Sequence, residues 1–103
     1  LLIGASHGAM AGFYTGNSLL ALCESEISYN DGVCLGYLTS VEDTYSRVSM
    51  FISSENSPCV PEGVEARQLK KVWIKYANEH PEKLHLNASS LVLNAYLDAF
   101  PCD

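Results

Sequence analysis

Four cysteines and two nearby histidines are the residues of this chain best suited to covalent chemistry. A thiolate from Cys23, Cys34, Cys59 or Cys102 beside His80 or His85 would make a nucleophile–base pair. Such a pair needs a free, activated thiol. None of the four cysteines stands in a C-x-x-C spacing, and four in a chain of 103 residues read as two disulfides rather than a zinc or redox site. Pairing all four removes the nucleophile. Glu79, His80, Glu82 and His85 offer metal-ligand atoms, but they straddle Pro81 and lack the H-E-x-x-H order. A solvated loop is the better reading.

The remaining constellations are weaker. Glu42 and Asp43 are adjacent carboxylates, and acid–base work would require burial. Gly12 and Gly16 bracket Phe13-Tyr14-Thr15 with no phosphate-loop pattern behind them. Asn87-Ala88-Ser89 fits a glycosylation sequon, but a helix N-cap explains Asn87 fully. Trp73 and the six tyrosines could line a ligand cavity; at helical spacing they serve better as core. No cofactor or metal is implied, and the chain is not expected to be an enzyme.

Four helices must position these residues. Thr15 is a good N-cap for a first helix running to about Glu26, with Leu19, Leu22 and Cys23 on one face. Ser28-Tyr29-Asn30-Asp31-Gly32 is turn chemistry, and Asp31 caps the second helix. Cys34, Tyr37, Leu38, Val41, Tyr45, Val48 and Ile52 form its stripe of 3.6-residue period. Gly36 and Ser40 would let a neighbour approach closely. A third helix starts near Gly63 or Val64 and buries Leu69, Val72, Trp73, Tyr76 and Ala77. Lys70, Lys71 and Lys75 lie away from that face, and Pro81 ends the helix. Asn87 caps the fourth helix, Leu86 staples onto Leu91, and Phe100-Pro101-Cys102 terminates it.

The expected fold is all-α: a compact antiparallel four-helix bundle stapled by two disulfides. In that topology the first helix ends where the second begins, so Cys23 pairs with Cys34. The second and fourth helices end together, so Cys59 pairs with Cys102. Loop closure alone would contribute about 3 kcal/mol for the short bridge and about 4 kcal/mol for the long one. Residues 1–11 read as the stub of a signal peptide or an expression scar, and 12–103 as a single helical domain. The chain is 48% hydrophobic and 17% charged, which argues against disorder. Six basic residues against twelve acidic ones leave a formal charge of -6, so nucleic acid and membrane surfaces are poor partners.

Several short motifs also carry a resemblance. Thr15-Gly16-Asn17, Leu19-Leu20, Cys23, Cys34-Leu35-Gly36-Tyr37 and Asp43 are followed by Cys59-Val60-Pro61-Glu62-Gly63-Val64, Gln68-Leu69 and His80-Pro81-Glu82. Ala88, Leu91-Val92 and Ala99-Phe100-Pro101-Cys102 complete the order. The chain resembles the Rap/Tai family, periplasmic immunity proteins against peptidoglycan amidases delivered by type VI secretion. It is most similar to the subgroup that neutralises the fourth class of these amidase effectors. The resemblance implies an all-helical fold, often a homodimer, and a papain-like Cys–His target whose cleft is covered by a loop and a neighbouring helix.

Which residues would make the contact is a physical question. Two exposed polar loops fit a cleft. One runs from Ser53 to Pro58 and offers Ser53, Ser54, Glu55 and Asn56. The other offers Glu79, His80, Glu82, Lys83, Leu84 and His85, with Pro81 limiting the ordering cost of binding. Leu84 could serve equally as an apolar anchor or as a staple for the fourth helix. The alternative function is a small disulfide-bonded carrier of a lipid or other apolar ligand, which would need an enclosed cavity around Trp73.

Overall fold

Helices account for most of the chain in the computed structural model, which describes residues 12–49, 51 and 57–102. They are α1 (Gly16–Glu24), α2 (Ser28–Val48), α3 (Ala66–Glu79) and α4 (Ala88–Ala99), with a 3-10 turn at Pro81–Lys83 between the last two. Each α-helix packs on the other three. Their shared core holds Leu19, Cys23, Cys34, Leu38, Leu69, Trp73, Ala77, Leu91, Val92 and Tyr96. Trp73 and Tyr96 are its largest fully buried side chains. The Tyr96 hydroxyl donates to the Leu38 carbonyl at 2.8 Å, tying α4 to the middle of α2. Burial raises the pKa of that hydroxyl well above the usual phenol value.

Both expected disulfides form, Cys23–Cys34 and Cys59–Cys102, each with a Cα–Cα distance of 5.0 Å. No cysteine is free. The helix order departs from strict up-and-down alternation. Asp31, in the first turn of α2, meets Arg67 at 3.0 Å and Lys70 at 2.7 Å near the start of α3. The starts of these two helices therefore lie together. Connection 49–65 is long enough to carry the chain back between them.

Several local expectations are corrected by the structure. Ser28 to Gly32 is helix rather than turn, and the N-cap is Ile27, which makes no side-chain cap bond. Asp31 instead sits in the first turn, where the helix dipole favours an acid and two basic groups on α3 reach it. Those contacts hold its carboxyl below the ordinary range: Lys70 has the larger effect, then Arg67. Lys70 is thus partly buried rather than pointing away. The third helix begins later than expected, at Ala66, because Gly63 turns the chain with φ +94° and the Glu65 carbonyl receives the first helical bonds. The first helix stops at Glu24, and Ile52 of the α2 stripe lies outside the described residues.

Close approach is made by Gly16, not by Gly36 and Ser40. Gly36 faces open space, and Ser40 is exposed. Gly16 is buried at the first position of α1. A Cβ there would lie 2.6 Å from Leu91 Cδ1 and 3.0 Å from the Leu84 Cα. Because the Leu84 backbone is held by hydrogen bonds, it has little room to move. We expect Gly16→Ala to destabilise the fold by about 1–3 kcal/mol, as overpacking does elsewhere; chemical denaturation checks this.

Glu42 on α2 has a buried Oε1 with no hydrogen-bond partner. Burial, and then the neighbouring Asp43 charge, raise its carboxyl above the ordinary value of 4.5. With a raised folded pKa, the carboxyl costs nothing below that ordinary value, where it is protonated in both states. The cost grows as pH rises through the folded value. Glu42→Gln should therefore raise the melting temperature at neutral pH, and the gain should vanish in acid; thermal melts across pH test both limbs.

Candidate partner-binding surface

A helix begins with four backbone N–H groups that have no partner inside it. In α1 all four find one nearby. Gly16 N–H donates to the Leu86 carbonyl at 3.0 Å and Asn17 N–H to the Leu84 carbonyl at 2.8 Å. Ser18 N–H donates to Thr15 Oγ1 at 3.2 Å, and the fourth is the N–H of the cap residue itself. Thr15 N–H donates in turn to Ser18 Oγ at 2.9 Å, closing a capping box. The start of α4 repays the contact. Ala88 N–H donates to the Tyr14 carbonyl at 2.9 Å, and Ser89 N–H to Asn87 Oδ1 at 2.9 Å. Asn87 is the expected cap, and it also pairs with Thr15 in a short antiparallel bridge.

These bonds fix the α3–α4 connector, which holds five of the residues proposed for contact; the sixth in that group, Glu79, is the last residue of α3. Lys83 N–H donates to the His80 carbonyl at 3.0 Å, and Leu86 N–H to the Lys83 carbonyl at 3.0 Å. The His80 ring packs on Tyr76 with centroids 4.3 Å apart, and its Nδ1 lies 3.6 Å from Glu82 Oε2. Glu79 pairs with Lys75 at 3.3 Å. Glu79, Glu82 and His85 are exposed, while His80 and Lys83 are half-buried. Leu84 is 6% exposed and belongs to the core, so it is not available as an apolar anchor. Its backbone must turn inward to cap α1, and its side chain follows. Leu86, two residues on, is 46% exposed. Ser53, Ser54, Glu55 and Asn56 lie outside the described residues.

A second surface runs along α2. One depression is lined by Gly12, Phe13, Tyr14, Tyr37, Asn87 and Ser89. Another is lined by Tyr37, Ser40, Val41, Thr44, Tyr45, Val48 and Ser89. They share Tyr37 and Ser89, so they form one groove. Tyr14 and Tyr37 meet edge-to-face at 5.4 Å on its floor. Burial raises the Tyr37 hydroxyl above its ordinary value despite a hydrogen bond with Ser89. Phe13, beside the groove, is 95% exposed.

Sequence reasoning assigned Tyr37, Tyr45 and Val48 to the core stripe, and they are only half-buried. The signal lay in helix length. At 1.5 Å per residue, the 21 residues of α2 span about 31 Å, against about 13 Å for the 9 of α1 and about 18 Å for the 12 of α4. Short neighbours do not cover the full stripe. Trp73, by contrast, is fully buried and stacks on Tyr76 at 6.3 Å, as a core residue does.

Residues 15–102 match the family model of the Rap1a immunity proteins. The chain belongs to that family. No curated protein and no solved structure matches it. Membership implies an immunity protein that binds a cognate type VI effector, a non-enzymatic role. Among the described residues, no helix is long and apolar enough to cross a membrane.

The burial of Leu84 makes its role separable from partner binding. Leu84→Ala should cost about 2–4 kcal/mol of folding stability, in the range of buried leucine truncations. Equilibrium unfolding of the isolated protein measures it; a cost near zero would return Leu84 to the surface.

Proposed function

We propose that this protein acts in the periplasm and protects its cell by occluding the cleft of a type VI secreted peptidoglycan amidase. The observation that carries the reading is the α3–α4 connector. It presents Glu82 and His85, next to Glu79 at the end of α3, on a backbone held by bonds from Leu84 and Leu86 to α1. A segment ordered before binding loses little conformational entropy on entering a cleft. It therefore suits an inhibitor that must hold on while excluding substrate. His80 and Lys83, half-buried beside these residues, complete the wedge. Ser53, Ser54, Glu55 and Asn56 are the second contact segment. Two disulfides fit an oxidising compartment such as the periplasm.

The target chemistry is a papain-like Cys–His amidase acting on peptide stems. An immunity protein needs no chemistry of its own against such an enzyme; it needs to keep the thiolate from its substrate. The co-encoded amidase, mixed with this protein in excess, should stop hydrolysing peptidoglycan stem peptides. Undiminished hydrolysis would overturn the reading. The double variant Glu82→Ala/His85→Ala should bind that amidase about 10–100-fold more weakly, in line with loss of one or two interface anchors.

The α2 groove supports a homodimer. Its tyrosines and valines leave an apolar face half-covered, and exposed Phe13 borders it. Light scattering should give twice the chain mass, and Tyr45→Ser/Val48→Ser should shift it to the monomer. A wild-type monomer at working concentration would remove the dimer.

A further inference from the structure

The two disulfides occupy opposite environments. Cys23 and Cys34 are 1% and 0% exposed, and they sit in the core among Leu19 and Leu38. A nucleophile reaches them only after α1 separates from α2. Cys59 and Cys102 are both exposed and lie outside the core. They join the segment leading into α3 to the chain just past α4, where Cys59 N–H also donates to the Phe100 carbonyl at 2.8 Å. Neither residue belongs to the helical core, and Cys102 Sγ lies 3.4 Å from the Ser57 carbonyl.

We propose that Cys59–Cys102 is a redox-sensitive latch, opened by a protein dithiol while Cys23–Cys34 stays closed. In the first step the dithiol's thiolate attacks one sulfur of the bridge. The other sulfur leaves as a thiolate, and a mixed disulfide forms. The second thiol of the reductant then attacks that mixed disulfide. The reductant ends oxidised to its own disulfide, and Cys59 and Cys102 end as two thiols after protonation. The fitting partner is an oxidoreductase with an accessible, low-pKa thiolate.

The product keeps the core and the α1–α2 staple. It loses the link that closes 43 positions of sequence, and with it the anchor holding the α2–α3 connection against the end of α4. Ser57, buried two residues before Cys59, loses its nearest covalent tether. The latch thus loosens one connection without dissolving the fold, because local opening and global unfolding have separate free energies.

Partial reduction tests this on the intact protein. Samples taken during exposure to dithiothreitol are quenched with iodoacetamide and mapped by peptide mass spectrometry, with far-ultraviolet circular dichroism recorded in parallel. Cys59 and Cys102 should be alkylated at least about 100-fold faster than Cys23 and Cys34, with helical signal retained. Labelling of all four together, or of Cys23 and Cys34 first, would overturn the latch. The variant Cys59→Ser/Cys102→Ser should remain helical with a lower melting temperature. If it is unfolded, the bridge is a requirement of the fold and the proposal fails.

Discussion

Backbone amides at a helix start must be satisfied, and in this protein two helix starts satisfy each other. The carbonyls of Leu84 and Leu86 take the first N–H groups of α1, and the carbonyl of Tyr14 takes the first of α4. An unpaired buried N–H would cost about 1–3 kcal/mol, so the exchange is strongly constrained. Much follows from it. The connector before α4 has one shape, Leu84 turns into the core, and Gly16 must lack a side chain because two elements meet against it. The exposed side chains of the connector owe their fixed positions to the same bonds.

Around this joint, the covalent and electrostatic links are distributed by end. Cys23–Cys34 joins α1 to the second turn of α2, and Asp31 joins the first turn of α2 to α3. Cys59–Cys102 joins the segment leading into α3 to the chain just past α4. The contrast in exposure divides their labour: the buried bridge is part of the core, while the outer one restrains a connection. The long α2 carries Asp31 and Cys34 in its first two turns and runs well past them. Its uncovered turns form the groove.

Much of this was legible in the residues. Periodicity located four helices, Thr15 and Asn87 announced two of the caps, and the placement of cysteines at helix ends led to the observed pairing. The Cys59–Cys102 pairing formed by another route than the one expected: α2 starts beside the start of α3 rather than ending there, and it is the segment leading into α3, not the end of α2, that meets the chain past α4. Asp31 was misjudged because turn propensity is local, whereas the acid's partners, Arg67 and Lys70, are more than thirty positions away. Of the candidate contact residues, the exposure of the acids Glu79 and Glu82 could be expected from polarity and Pro81. The orientations of Leu84 and Leu86 could not, since alternate residues of a short connector point according to which carbonyls the neighbouring helix needs.

By itself, then, the sequence determined the all-helical class, the two bridges and membership in the immunity family, since apolar period, cysteine placement and motif order are properties of the chain. Tertiary structure decided which apolar residues are core and which are surface. Tyr37, Tyr45 and Val48 share a stripe with Leu38 and Val41, yet only the latter two are buried. For Tyr45 and Val48, toward the end of α2, the difference is the reach of the shorter helices packed beside it; Tyr37, between buried Cys34 and Leu38, instead meets Tyr14 outside the core. Sequence period specifies a face, but how much of that face is covered depends on the length and placement of its neighbours.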